Sequence, residues 1–411
     1  EAQTMSYRSL EKIFYADASS DRFTHNARLA RERLEADSTF RTSLLTPNGE
    51  LFLATPRELS VLNERVMRNE RAVSAAMGAL PPVASAALVR SLVIDEVVST
   101  NELEGVHSTR RQVSDALDLE LSMDDQSRDR RFREFAKLYL NLSDHDRGYP
   151  SSPEDVRRVY DLVMRGEDMH GVVPDGRLFR AGGVEIIGAN QKVLHVGIEP
   201  EEKIIEAIAR MIELADRKDM PQTFSAIIAH YYFEYIHPFY DGNGRTGRYL
   251  LALYLSRPLS TLTSLSLSRV IAENRAAYYK SFKQAESPLN HGELTFFVWN
   301  LLENILVAQE QIVDDLTQKR TALEEASKLL SQVVSERGLS EQEANVLFML
   351  IQLQLFATFP GTSLAEVASH SNVSQQQARK YTKRLEELGL MVTTRRRPLR
   401  FELSEEVKSL L

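Results

Sequence analysis

The apolar positions along the chain follow a mostly helical rhythm. Phe224, Ile227, Ile228, Tyr231, Tyr232, Tyr235 and Ile236 recur at three and four residues, which is one buried helix face. Pro238 ends that run, because proline disfavours the helical region for His237 and has no N–H to donate. A second apolar run, Tyr249 to Leu255, restarts a helix from about Arg245. Upstream, Thr55-Pro56-Arg57-Glu58 reads as a helix start ahead of the stripe Leu59, Leu62, Val66 and Met67. Pro81-Pro82 then breaks the chain, and a helix is expected from Ala84 to about Ser99. Two or three helices are expected between 109 and 166, with Ser152-Pro153-Glu154-Asp155 as one start. Glu199-Pro200-Glu201-Glu202 opens another, with Ile204, Ile205, Ile208 and Ile212 on its core face. Glu293 to about Arg337 reads as mostly helical and increasingly charged.

Strand signals are fewer. Val184-Glu185-Ile186-Ile187 and Lys192-Val193-Leu194-His195-Val196, joined by Gly188-Ala189-Asn190-Gln191, read as a β-hairpin. It is the only convincing β feature in the first three quarters, and residues 1 to about 84 read as irregular and partly helical. The last segment differs. Ser340-Glu341-Gln342-Glu343 is a capping box, Thr362 is expected to cap Leu364 to His370, and Gln375 to Leu388 forms a second helix. A hairpin follows, with Arg395-Arg396-Arg397-Pro398 at its tip. Helix, turn, helix and basic hairpin resemble a winged helix-turn-helix module. Ser374, Gln375, Gln376 and Arg379 would then face bases, and the tip arginines phosphates.

Composition narrows the class. At 411 residues two or three domains are expected, and 43% hydrophobic with 26% charged residues describe an ordinary globular chain. There are no cysteines, which excludes disulfides and Cys-ligated zinc and agrees with a reducing cytoplasm. No apolar run reaches bilayer-spanning length and no basic-then-apolar leader opens the sequence, so a cytoplasmic location away from membranes is expected. The net charge of −8 argues against general nucleic-acid coating. From Ser363 to Leu411, however, 9 Lys and Arg face 6 Asp and Glu, a balance of 9 − 6 = +3, which points to a separate partner, DNA or protein, for the tail.

The chemistry concentrates in His237-Pro238-Phe239-Tyr240-Asp241-Gly242-Asn243-Gly244-Arg245-Thr246-Gly247-Arg248. His237 can act as a base near neutral pH. Asp241 can hold Mg²⁺, which takes one or two carboxylates plus phosphate oxygens. Gly242, Asn243 and Gly244 offer N–H donors at a helix start, and Arg245 and Arg248 add charge suited to phosphates. A base beside a phosphate cradle suggests transfer chemistry on a nucleotide. No GxxxxGK[ST] is present, which disfavours a P-loop kinase.

This string resembles, position for position, the HPFx(D/E)GNGRxxR signature of Fic-domain proteins. The resemblance implies a mainly α fold: an all-helical Fic core with a β-hairpin flap, here followed by the small winged helix-turn-helix-like α+β domain. The expected divisions are 1–84, a partly helical N-terminal region; 85–295, the Fic domain; 296–337, a helical connector; and 338–411, the C-terminal domain. The implied activity is transfer of AMP from ATP to a Ser, Thr or Tyr hydroxyl of a protein, the chain itself included, with Mg²⁺ present. Thr100, Glu104 and Gly105 match the family's inhibitory motif (S/T)xxxE(G/N), with Glu104 set against Arg248. Val184, Glu185, Ile186 and Ile187 correspond to the flap that docks a target segment, preceded by Gly176-Arg177 and Arg180. Asn274 to Tyr279 resembles an NxxxYY segment in which Tyr278 or Tyr279 lines the adenine side. Removal of AMP, use of another nucleotide, a nucleotide-sensing DNA-binding regulator, a scaffold with a degenerate site, and a homodimer remain open at this point.

Overall fold

The computed structural model describes residues 6–118, 131–144, 148–167, 173–187, 193–396 and 399–411. The expected hairpin turn Gly188-Ala189-Asn190-Gln191, Lys192, and Arg397-Pro398 of the basic tip lie outside the described residues. Two compact units are formed: residues up to Arg71 together with Val93–Glu310, and Ala72–Leu92 together with Gln311–Leu411.

The first unit begins with helices α1 (Leu10–Ala16) and α2 (Arg22–Glu35) and a hairpin, β1 (Thr39–Thr46) and β2 (Gly49–Ala54). That hairpin corrects the expectation of an irregular, partly helical opening. Its sequence signal is the Asn48-Gly49 turn, and it pairs Thr39 with Ala54 and Thr46 with Gly49. Leu51, Phe52 and Leu53 are buried, so this strand reads as a continuous apolar run and not as an alternation. Helices α3 (Arg57–Gly78) and α4 (Pro82–Leu103) follow. The fourth helix is longer than the Ala84 to Ser99 expected, because Pro82 serves as a first-turn residue instead of a break. Its end is at Gly105, which adopts φ +69, a backbone region that costs glycine little.

Then come α5 (Arg110–Asp118), α6 (Arg133–Leu140) and α7 (Pro153–Val163), the last opened by a Ser152/Asp155 capping box. The expected flap is present as β3 (Glu185–Ile187) and β4 (Val193–Val196), antiparallel with Ile186 opposite His195. Helices α8 (Glu201–Ala215), α9 (Gln222–Ile236) and α10 (Asn243–Leu255) form the centre. Every residue of α10 is buried, as are Phe224, Ile227, Ile228, Tyr231 and Phe233 of α9. The tenth helix starts at Asn243, two residues before the expected Arg245. Helices α11 (Thr261–Ser264), α12 (Leu267–Glu273), α13 (Arg275–Ala285) and the part of the long α14 (Thr295–Arg337) up to Glu310 complete this unit. Mainly helical with small sheets is therefore the fold class.

The second unit is built on α15 (Glu341–Phe356), β5 (Thr362–Ser363), α16 (Leu364–His370), α17 (Gln375–Glu387), β6 (Met391–Arg396), β7 (Leu399–Leu403) and α18 (Glu405–Lys408). The sheet order is β5-β7-β6. Val346, Leu350, Val367, Ala378, Leu385, Met391 and Phe401 form its core. Ser363, not Thr362, caps α16, because Glu366 completes a capping box with Ser363 while Thr362 pairs with Phe401 in the sheet. Gln375, Gln376, Arg379, Lys380, Lys383 and Arg384 of α17 are exposed. Among the described residues no helix is long and apolar enough to cross a membrane.

Candidate functional site

A helix ends with four carbonyls that have no partner within it. At the end of α9 each one finds a donor. The Phe233 carbonyl accepts from the His237 N–H at 3.0 Å and the Glu234 carbonyl from His237 Nδ1 at 3.3 Å. The Tyr235 carbonyl takes His195 Nε2 at 2.7 Å, and the Ile236 carbonyl takes the Ile198 N–H at 3.1 Å. Two of these four donors come from the flap strand and the residues just after it.

His237 itself turns left-handed, with φ 50, and the chain reverses at Pro238. Arg180 holds that reversal. Fully buried, it donates Nε to the His237 carbonyl at 2.8 Å and its backbone N–H to the Pro238 carbonyl at 3.2 Å. Its Nη1 reaches the Gly182 carbonyl and its Nη2 the Ile198 carbonyl, both at 2.7 Å. One guanidinium thus ties the segments before and after the flap to the His237 turn. Asn243 closes the loop from the other side, accepting from the Phe239 N–H at 2.9 Å and donating to the Phe239 carbonyl at 2.8 Å. Phe239 is buried and stacks on Tyr160, as an anchor should.

Burial pushes the His237 imidazole down to about 4, the Glu234 carbonyl at Nδ1 opposing this and His195 adding to it. The ring is therefore neutral at physiological pH. With Nδ1–H donated to a carbonyl, Nε2 carries the lone pair.

Arg248 lies on α10, buried, facing α4. Its Nε donates to Thr100 Oγ1 at 2.7 Å, and its Nη2 to the Thr100 carbonyl at 3.2 Å and to Glu104 Oε1 at 2.6 Å. Thr100 lies in the last turn of α4, and Glu104 is the first residue past its end, four positions on. Burial alone would lower the Arg248 guanidinium, but Glu104, backed by Tyr278 and Glu234, raises it well above the usual arginine range. The Glu104 carboxylate also covers Gly244 so closely that a Cβ there would collide with Oε1. Glu104 thus occupies the anion-favouring first turn of α10.

The remaining expected residues divide. Asp241 is exposed, its Oδ1 accepting from the Gly242 N–H at 2.6 Å. No group of three or more His, Cys, Asp or Glu that could hold a metal is found among the described residues. A lone carboxylate fits Mg²⁺ only if substrate phosphates complete the shell. Arg245 is committed elsewhere: buried to 2% exposure, it pairs through Nη1 with Glu167 Oε1 at 2.8 Å, and Glu167 also takes Arg131. A buried guanidinium needs such a counter-charge. Tyr278 is buried and donates to His230 Nε2 at 2.8 Å, while His230 Nδ1 donates to the Gly247 carbonyl at 3.1 Å. Tyr279 is 45% exposed and donates to the Leu103 carbonyl at 3.2 Å, against the end of α4. The flap's Glu185 and Ile186 are exposed and Val184 is half-buried, and β3 pairs with β4 alone among the described strands; for Ile187 the backbone pairing alone is described.

Arg180, His195, Glu167 and His230 complete the site, and only Arg180 carried a signal, its place after Gly176-Arg177. The others act through contacts between residues far apart in sequence.

The model of the Fic/DOC family matches residues 150–255. A protein adenylyltransferase of Caenorhabditis briggsae is 39% identical over 100 residues, 24% of this chain and 18% of that protein. A probable protein adenylyltransferase of Aquifex aeolicus is 33% identical over 130 residues, 31% of this chain and 35% of that protein. The match thus spans about a third or less of these curated relatives. A crystal structure of a Fic family protein from Desulfovibrio desulfuricans G20 has 21% identity and a TM-score of 0.49, covering 83% of this chain and 96% of that one. The stretch matched by the family model, residues 150–255, carries the His237 turn between α9 and α10.

Proposed function

We propose that the chain is an autoinhibited protein adenylyltransferase that moves AMP from ATP to a Ser, Thr or Tyr hydroxyl of a protein target, itself included. The relatives named as adenylyltransferases support the reaction class. The observation that carries the autoinhibited form is the 2.6 Å pairing of Glu104 with Arg248 above Gly244.

The target segment adds to the outer edge of β3, which brings a hydroxyl to His237. Nε2 of the neutral imidazole takes the hydroxyl proton as its oxygen attacks the α-phosphorus. The bond from that phosphorus to the bridging oxygen breaks, pyrophosphate leaves, and the proton later returns to water. The N–H groups at the start of α10 face the charge gathering on the α-phosphate. Arg248 grips an outer phosphate only when Glu104 has left it. Mg²⁺ held by Asp241 and the phosphates would neutralise charge on the leaving group. Tyr279, the exposed member of the tyrosine pair, is the better placed of the two to meet the adenine. A cytoplasmic location belongs to the same reading.

The exposed basic face of α17 is a surface for a DNA or protein partner. A DNA-binding regulator that only senses nucleotide is the weaker reading, since it gives the Glu104–Arg248 pair no task. The test is label transfer from ATP marked at the α-phosphate. Label on protein with Glu104→Gly, and none when His237→Ala is added, supports the proposal; no label on Glu104→Gly, alone or with added proteins, removes it.

A further inference from the structure

His195 does more than occupy a strand position. Its ring is nearly buried, with 8% of the side chain exposed. Nε2 lies 2.7 Å from the Tyr235 carbonyl and Nδ1 lies 3.0 Å from Glu286 Oε2. A carbonyl and a carboxylate can only accept, and a neutral imidazole has one N–H to give. Both contacts are hydrogen bonds only if both ring nitrogens carry protons. Glu286 supplies a negative charge from the end of α13, and the final carbonyls of α9 present the negative end of a helix dipole. Tyr235 of α9 lies against the ring, with His237 beyond it, and Tyr231 faces Glu286. His195 is among the groups that lower His237, after burial.

We propose that His195 is a positioning residue, a doubly protonated latch that fixes flap strand β4 to the carbonyl end of α9 and so sets the height of a docked target segment over His237. It touches neither nucleotide nor hydroxyl. It joins three pieces: the flap, the helix that ends at His237, and the helix that carries Tyr278 and Tyr279. Ile186, directly across the pair from His195, is on β3, which pairs with β4 alone among the described strands. A shift of β4 therefore moves the docking edge with it. The inference rests on the flap reading above.

Two measurements on the full chain test it. The first is amide hydrogen exchange without nucleotide. His195→Phe should speed exchange at 193–198 by about tenfold, the loss of one hydrogen bond to a charged group. His195→Gln, which keeps a donor, should recover part of the protection. Unchanged exchange in His195→Phe overturns the latch, as does a nitrogen NMR spectrum of wild type with only one protonated ring nitrogen on His195. The second uses the Glu104→Gly background, with the His237→Ala chain as acceptor. Adding His195→Phe should raise KM for the acceptor at least about fivefold and leave KM for ATP within about twofold. An unchanged acceptor KM, or equal loss toward both substrates, counts against it. Should Glu104→Gly alone transfer no label, adenylyl transfer falls, while the exchange and NMR results still decide the latch.

Discussion

The Arg180 guanidinium donates to the carbonyl of His237 at 2.8 Å, from a site with no measurable exposure. The positive φ of His237 is a conformation that L-residues avoid at roughly 1–2 kcal/mol, so something must hold it. Arg180 does so with bonds to carbonyls on both sides of the flap and at the turn itself. Arg180→Met should therefore lower AMP transfer in the Glu104→Gly background by about 100-fold, the scale of a small misplacement of a reacting group. Arg180→Lys, with charge but no fork, should fall in between. Circular dichroism checks the fold, and transfer at the Glu104→Gly rate would show that His237 needs no such support.

Thr100 offers a graded version of the contact proposed as inhibitory. Its hydroxyl accepts from Arg248 Nε at 2.7 Å, and its carbonyl accepts from Nη2 at 3.2 Å. Thr100→Val removes the first and keeps the second and Glu104. The buried Nε is left without its acceptor, which costs about 1–3 kcal/mol, so the inhibited arrangement weakens without disappearing. Labelling should rise above wild type but stay below Glu104→Gly. Equal labelling for Thr100→Val and wild type would assign the restraint to Glu104 alone.

The pH dependence follows from His237. A base works unprotonated, and burial has moved its pKa from 6.5 to about 4. Lowering the pKa of a base moves the acid limb of kcat/KM to lower pH. The Glu104→Gly enzyme should hold its rate from pH 8 to about 5.5 and lose it only as pH falls toward 4. An acid limb near 6.5, with the fold intact by circular dichroism, would mean that the imidazole is open to water in the working enzyme.

How much of this could be read in the chain varied by the type of force involved. The His237 loop was legible because its chemistry is contiguous, and so was α9, whose apolar stripe has one period. The first hairpin was not, since buried Leu51, Phe52 and Leu53 mask the alternation of a strand. Capping misled by one residue at Thr362, where two adjacent hydroxyls compete and the reciprocal bonds of Glu366 with Ser363 decide. Most partners of Arg180, His195 and Arg245 were invisible, because they lie 18 to 91 residues away and no local rule names them.

Arg245 gives the sharpest division of labour between the two motif arginines. Sequence spacing assigns both to phosphates, yet Arg245 is buried in a pair with Glu167 at 2.8 Å, and its Nε has no partner. Breaking a buried pair by removing one partner typically costs about 3–5 kcal/mol, because the other charge is stranded. Arg245→Met should then lower the melting temperature by several degrees, and Glu167→Gln should do the same to a smaller degree, since the amide still accepts. Arg248→Met should leave melting less affected in the Glu104→Gly background, where the Glu104 carboxylate is not stranded, and should raise KM for ATP at least about tenfold. The measurement is a melting curve and an ATP titration for each variant. If Arg245→Met keeps its melting temperature and loses ATP affinity as Arg248→Met does, Arg245 leaves Glu167 to meet the nucleotide, and the pair is a resting position and not a structural one.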